Sequence, residues 1–503
     1  MSETLVWSIL IPLLGAIVTF WFNPRWVAAI GLAFSLATGS FALWIAYAIG
    51  RDGRLLHELG GWGAPLGIDL YADGLSAFML ATNGLVGILI SAAAYLYFEP
   101  NGDGTGHAQE RRAFWPLWLF LWSALNLAYV SSDAFNLYIA VELIGLAGVA
   151  LIVITGRHDA MVAAMRYLLV ALLGSLSYLL GVAMLYGEFH TLDLRLMAEL
   201  SAEAESSLVL WVSLALISVG LMVKTALFPL HFWLPPAHSS AAAPVSALLS
   251  ALVVKATFYL LLRLWFGVFS DQMTVTFGQV FGVLATMAII GGSVQAILQR
   301  RLKMMVAYST VAHIGYLFLL LPLTIPFRGS DTAAWNFDGF SGGIYHLLSH
   351  ALAKSAMFLA AGIVIMSMGN DRLRNLRGMA HQLPLTTFAF GLAGVSLMGL
   401  PPSGGFVAKW FMINAAIESG QWWWAIVLLV GGLLTAVYVF LVLRYAFLPV
   451  HPPHFRSPPR RLEFVALTLA LLSLVIGFRA VEAFDLLEAG TPFLNAPGGS
   501  EGP

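Results

Sequence analysis

The 503-residue chain has no cysteine and very little charge. Without a thiol, disulfides, thiolate nucleophiles, iron–sulfur clusters and Cys-ligated zinc are excluded together. Only 10% of the residues are charged and 59% are hydrophobic, whereas a soluble domain carries about 25% charged residues. A single water-soluble globule of this size is therefore excluded. The net charge of -1 leaves no basic surface of the kind that phosphate backbones require, so nucleic acid is not an expected partner. No GxxxxGK phosphate loop is present, so ATP does not drive the chain directly. No TVGYG filter and no helix with regularly spaced Arg occur, which excludes a potassium channel and a voltage sensor. Lysine is scarcest among the basic residues: Lys224, Lys255, Lys303, Lys354 and Lys409 are the whole set.

What remains is a succession of long apolar runs. A helix needs roughly 20 mostly apolar residues to cross a hydrocarbon core of about 30 Å. On that rule the first half gives spans at 4–22, 27–49, 74–97, 113–131, 136–155, 167–187 and 208–234. The second half gives 241–265, 275–298, 304–321, 340–368, 384–416, 422–447 and 462–481. The chain is thus expected to be an all-α integral membrane protein of about 14 transmembrane helices. Two spans contain breakers: Pro229 and Pro235-Pro236 in the seventh, and Gly399-Leu400-Pro401-Pro402-Ser403-Gly404-Gly405 in the twelfth. Broken helices at membrane depth survive only where the freed backbone lines protein or a wet cavity, so both breaks are expected to point inward. The Gly291-Gly292 and Gly431-Gly432 pairs read as close packing in lipid. Glu3 precedes the first run and no basic segment leads it, so the first span reads as retained rather than as a cleaved signal.

Loop charge sets the orientation. With the N-terminus outside, 15 of the 25 basic residues fall at cytoplasmic ends: Arg25, Arg111, Arg112, Arg157, Arg166, Arg300, Arg301, Lys303, Arg372, Arg374, Arg377, Arg444, Arg456, Arg460 and Arg461. Six lie outside: Arg51, Arg54, Arg195, Arg263, Arg328 and Arg479, alongside the acidic Glu199, Glu203 and Glu205. This bias predicts a multi-pass protein of the cytoplasmic membrane with both termini outside. The remaining four, Lys224, Lys255, Lys354 and Lys409, fall inside spans and leave Lys303 as an ordinary loop lysine.

Each charge at the bilayer centre costs about 2.5 to 3.5 kcal/mol even on the lenient insertion scale. Snorkelling accounts for one such lysine comfortably and for four poorly. Glu142 is a further internal carboxylate, too short to snorkel far. A buried lysine beside a carboxylate can be switched between holding and releasing a proton, which makes Glu142 and Lys224 candidates for a coupled pair. His346, His350 and Lys354 recur at spacing four, on one helical face, and form a plausible proton wire. A zinc site is the competing reading of two histidines at that spacing, but no Cys and no internal acid accompany them. His313 reads equally as a relay group or as a packing histidine. His231 and His238, near the cytoplasmic end of the broken seventh span, would serve as a proton inlet.

Lys224 and Lys409 lie in broken spans five apart in the count. A repeat with an odd number of helices must be inverted in the membrane, so two inverted five-helix repeats are expected. That divides the chain into helices 1–3 (1–112), a first repeat of helices 4–8 (113–265), a second of helices 9–13 (266–447), and a last helix with the tail (448–503).

These residues carry a family resemblance. Val223-Lys224-Thr225-Ala226-Leu227-Phe228-Pro229-Leu230-His231-Phe232-Trp233-Leu234-Pro235, then Ala243-Pro244-Val245-Ser246 with Lys255, resembles the antiporter-like subunits of Mrp-type cation/proton antiporters, respiratory complex I and membrane-bound hydrogenases. So do Tyr308-Ser309-Thr310-Val311-Ala312-His313-Ile314-Gly315-Tyr316, the His346 to Lys354 stripe, and Leu400-Pro401-Pro402-Ser403-Gly404-Gly405-Phe406 leading to Lys409. The resemblance covers roughly residues 60 to 450. It implies a proton path through Glu142, Lys224, Lys255 and Lys409, linked by His346 and His350. Gly60-Gly61-Trp62-Gly63-Ala64-Pro65 and Asp73-Gly74-Leu75-Ser76 look most like the D-type member of the Mrp antiporter set. One departure stands out: Leu234-Pro235-Pro236-Ala237-His238-Ser239 lacks the family's usual Asp after Leu-Pro and its Pro after the next His.

The resulting expectation is a proton-conducting subunit of a multisubunit sodium/proton antiporter. Its partners would be other membrane subunits, the lipid bilayer, protons and sodium, with no cofactor. A proton-pumping subunit of a redox-driven quinone or hydrogenase complex is the alternative reading. An energising subunit for uptake of a solute such as inorganic carbon is a third.

Overall fold

In a computed structural model, which describes residues 3–22, 26–99, 108–204, 207–325, 335–449 and 456–489, the apolar runs are helices and little else. Thirteen of them are long and apolar enough to cross a membrane. They are α1 (Thr4–Trp21), α2 (Val27–Asp52), α3 (Gly74–Tyr97), α4 (Ala108–Val130), α5 (Ala134–Val153), α6 (His158–Phe189), α7 (Leu208–Thr225), α8 (Ala243–Val268), α9 (Val275–Leu298), α10 (Leu302–Thr324), α11 (Phe337–Met368), α13 (Trp422–Phe447) and α14 (Arg460–Phe478). Between α11 and α13 the twelfth span, α12, runs as two halves, Pro384–Met398 and Gly404–Glu418. The chain is therefore a multi-span membrane protein, and the expected all-α class holds. Arg25, Glu205 and Arg328, used above for orientation, lie outside the described residues.

Both interruptions have local causes. α7 stops where Ala226 adopts the left-handed conformation at φ 59°, and Pro229 then offers no backbone donor to continue the ladder. The chain resumes as a short helix, Leu234–Ser240, whose leading prolines occupy the positions where their missing N–H groups are not needed. In α12 the first half ends at Gly399, with φ 82°, and Ser403 caps the second half by accepting from the Phe406 amide at 3.1 Å.

The connections gather on two faces. On one, a two-stranded antiparallel hairpin pairs β1 (Leu55–Glu58) with β2 (Asp69–Ala72), a feature that hydropathy did not predict. Asp69 accepts from Arg195 at 2.6 Å, and Ser132 donates to Asp193 at 2.7 Å, tying three connections together. Asp73 caps α3 through the Ser76 amide and is also paired with Arg263 of α8. Arg263 is thus not a free outer-face charge: it is a largely buried partner of a fully buried carboxylate. On the opposite face, Arg301 bonds Asp371 at 2.9 Å, and a cavity of about 530 Å³ is lined by Thr155, Arg157, Ser239, Lys303, Asp371 and Arg372, among others.

Burial is uneven. α1, α2, α6, α13 and α14 leave large apolar side chains on the outside, as helices facing lipid do, whereas α8 is buried along almost its whole length. α9 and α10 approach closely because Gly292 has no Cβ: one there would lie 2.6 Å from the Ala312 amide nitrogen. α8, α10 and α11 together make the centre of the molecule, and that is where the ionisable residues are.

Candidate functional site

Lys224 stands in the last turn of α7, and its Nζ lies 3.9 Å from Glu142 Oε1 on α5. The same ammonium donates to the Val141 carbonyl at 3.2 Å. The pair anticipated from sequence is therefore in contact, with Lys224 5% and Glu142 18% exposed. Glu142 is the outermost member of the group, and Thr225 next to Lys224 bonds Thr257 of α8 at 2.9 Å.

Lys255 is fully buried in α8 and has no acidic partner among the described residues. Instead the helix opens around it. Residues 249–253 form a π-helical turn, and the Lys255 ammonium donates to the carbonyl of Ser250. π turns leave carbonyls free to take partners other than the helical ladder. Ser250 Oγ lies 3.0 Å from Thr310 Oγ1 on α10. Nothing in the hydropathy of this segment signals the π turn.

On α11 the spacing-four stripe holds. Lys354 donates to the Val306 carbonyl at 3.1 Å and to the hydroxyl of Ser309. His346 Nε2 is 3.2 Å from His313 Nδ1, and the His350 ring centroid is 5.1 Å from that of His313. All three histidines are buried. His313, which sequence left undecided, is the bridge between the two α11 histidines. No group of three or more His, Cys, Asp or Glu arranged for a metal occurs among the described residues.

Lys409 lies in the second turn of the lower half of α12 and donates to the carbonyls of Leu397 at 3.1 Å and Met398 at 3.0 Å, which end the upper half. The twelfth break therefore supplies the lysine's partners, while the seventh supplies none to Lys224, so the two breaks are used differently.

Helix α10 joins these parts. Ser309 meets Lys354, Thr310 meets the π turn, His313 meets His346 and His350, and Tyr316 lies under Lys409, whose Nζ is 4.5 Å from its ring centroid. Ser309, Thr310 and Tyr316 were passed over in the sequence reading although their spacing of three to four with His313 marked a polar face. Tyr438 of α13 adds a hydroxyl 3.4 Å from His313 Nε2. The Gly431-Gly432 pair also serves this site rather than lipid packing alone: a Cβ on Gly432 would lie 3.5 Å from Lys409 Nζ.

One expectation needs correction. Lys303 is not a loop lysine: it is 2% exposed, and its ammonium donates to the Ala241 carbonyl on the wall of the 530 Å³ cavity. A side chain at the start of a span was counted as solvated because sequence cannot show that a neighbouring loop folds over it. His231 and His238, expected at the proton inlet, have different surroundings. His238 is buried, stacked on Phe358 at 5.1 Å, beside the cavity-lining Ser239, whereas half-buried His231 stacks on Phe228 at 5.0 Å and does not line that cavity.

Residues 131–435, which include every group above except Tyr438, match the family described as NADH:quinone oxidoreductase/Mrp antiporter, transmembrane region. The chain is 37% identical over 428 residues to the N subunit of the NADH-quinone oxidoreductase of Desulforudis audaxviator, covering 85% of this chain and 81% of that one. It is 27% identical over 449 residues to the D subunit of the Na+/H+ antiporter of Alkalihalophilus pseudofirmus, covering 88% and 87%. It superposes on a chain of the Mrp complex of a Dietzia species with a TM-score of 0.85 at 26% identity, covering 98% of each. The chain belongs to the NADH:quinone oxidoreductase/Mrp antiporter family.

Proposed function

We propose that this chain is the proton-conducting subunit of a multisubunit sodium/proton antiporter in a bacterial cytoplasmic membrane, with both termini outside. The observation that carries this reading is the gathering of buried or nearly buried ionisable groups in the centre of the molecule: the Glu142–Lys224 pair, Lys255, Lys354, the hydrogen-bonded His313–His346 pair with the His350 ring packed against it, and Lys409. A lysine 3.9 Å from a carboxylate is attracted to it but not locked, so the pair can separate when the local charge changes. Two imidazoles sharing one hydrogen bond pass a proton by exchanging donor and acceptor roles. Lys255, whose ammonium donates to the Ser250 carbonyl, has no fixed counter-charge among the described residues to trap a proton on it. His238, beside the cavity that reaches Lys303, is the better of the two inlet candidates. The two five-helix units, 113–265 and 266–447, belong to the same proposal.

The test is replacement in the assembled complex. Lys224→Ala, Lys255→Ala and Glu142→Gln should each abolish sodium-dependent proton exchange while the partner subunits still co-purify. Near-parental exchange in all three would refute the reading. A redox-driven assembly is the second reading, favoured by the 37% identity to a quinone oxidoreductase subunit. Flavin or iron–sulfur subunits among the co-purifying proteins would decide for it.

A further inference from the structure

Lys409 ends the buried set, and one aromatic ring connects it to the rest. Tyr316 receives the Lys409 ammonium at 4.5 Å from its centroid, with Nζ 3.5 Å from the hydroxyl. The same ring stacks on His313, centroids 5.1 Å apart at 26°, and meets His346 at 5.2 Å and 38°. Tyr316 is therefore in contact with the lysine and with both members of the bonded histidine pair. No acidic side chain pairs with Lys409 among the described residues. The titratable groups that face this corner are Tyr316 and His313 of α10, His346 of α11 and Tyr438 of α13. On α14, Glu463 is engaged by Thr386 at 2.7 Å, at the far end of the first half of α12 from its break.

The ring's position depends on a missing side chain. Gly431 of α13 is buried against Tyr316, and a Cβ at that position would collide with the tyrosine hydroxyl. It would also come within 2.5 Å of Ile289 Cγ2, a side chain of α9. A glycine here therefore leaves the space into which the tyrosine projects.

We propose that Tyr316 is a positioning residue that holds charged Lys409 over its π face, within reach of the His313–His346 pair, and that Gly431 provides the clearance for it. The inference rests on the reading that Lys409 handles protons. The face of an aromatic ring attracts an ammonium through its quadrupole and offers a neutral amine no such attraction. A desolvated cation with no carboxylate partner gains the most from such a face. When the lysine gives up its proton, the attraction to the π face is lost while the contacts to the Leu397 and Met398 carbonyls and to the Tyr316 hydroxyl stay open to the amine, so the side chain is held less tightly to the ring. The step moves one proton between the Lys409 ammonium and the His313–His346 pair and breaks no covalent bond between heavy atoms.

The test measures sodium-dependent proton movement in inside-out vesicles carrying the assembled complex, with co-purification of the partners as the assembly control. Tyr316→Phe keeps the ring and should retain at least about half the parental rate, whereas Tyr316→Leu removes the π face and should lose roughly fivefold or more. Gly431→Ala should fall similarly, and Tyr316→Phe placed on that background should recover part of the loss, because the obstructed hydroxyl is gone. The recovery keeps the test decisive if Tyr316→Leu fails to assemble. Equal loss in Tyr316→Phe and Tyr316→Leu, a parental rate in Tyr316→Leu, or no recovery in the double variant would each overturn the proposal. If Lys409→Ala itself kept the parental rate, the underlying reading would fail instead.

Discussion

His313 Nδ1 of α10 lies 3.2 Å from His346 Nε2 of α11, and both rings are buried. Two imidazoles joined by one hydrogen bond need one hydrogen on it, and either ring can carry it. His313→Leu should therefore resemble His346→Leu, each lowering exchange by roughly an order of magnitude, and the double variant should add little to either. Additive losses would mean that the two rings work independently.

Arg263 and Asp73 form a bidentate pair that fastens the end of α8 to the start of α3. Removing one partner strands a buried charge, so Asp73→Ala should cost about 3 to 5 kcal/mol. Thermal unfolding in detergent measures it. Arg263→Met combined with Asp73→Leu should recover much of that loss, since the stranded charge goes with its partner.

Lys303 distinguishes a structural from an ordinary surface lysine. Its bond to the Ala241 carbonyl ties the start of α10 to the segment leading into α8. Lys303→Met leaves that acceptor unmet and should cost about 1 to 3 kcal/mol of stability, visible as a lower melting temperature, while Arg300→Met, on a nearby exposed position, should leave it unchanged.

Asp133 caps α5, the helix that carries Glu142, by accepting from the Asn136 amide at 2.7 Å. Burial raises its carboxyl above the usual range, while the amides it accepts from pull it back down. Asp133→Asn keeps an acceptor and should be close to neutral, and Asp133→Ala should cost about 1 kcal/mol. Melting curves of the two variants at neutral pH make the comparison.

How much of this could be read in advance follows from what hydropathy and spacing measure. Apolar runs locate helices because lipid enforces them, so the thirteen spans and the split twelfth were legible, as were Glu142 with Lys224 and the His346–His350–Lys354 face. The π turn at Ser250 was not, since it is set by how α8 packs against α10 and α11 and leaves no pattern in residue type. Lys303 was misread because a charged residue beside a span looks the same whether water or another loop covers it. Tyr316 was missed for a different reason: an aromatic in an apolar helix is usually packing, and only the arrival of Lys409 from a segment about ninety residues later gives it a second task.

The enclosure of α8 has a consequence for how the protein is made. Lys255 leaves the ribosome before α10 and α11 exist, yet in the finished molecule these later helices close over it. A segment with a central positive charge must therefore enter the membrane before the helices that enclose that charge are synthesised.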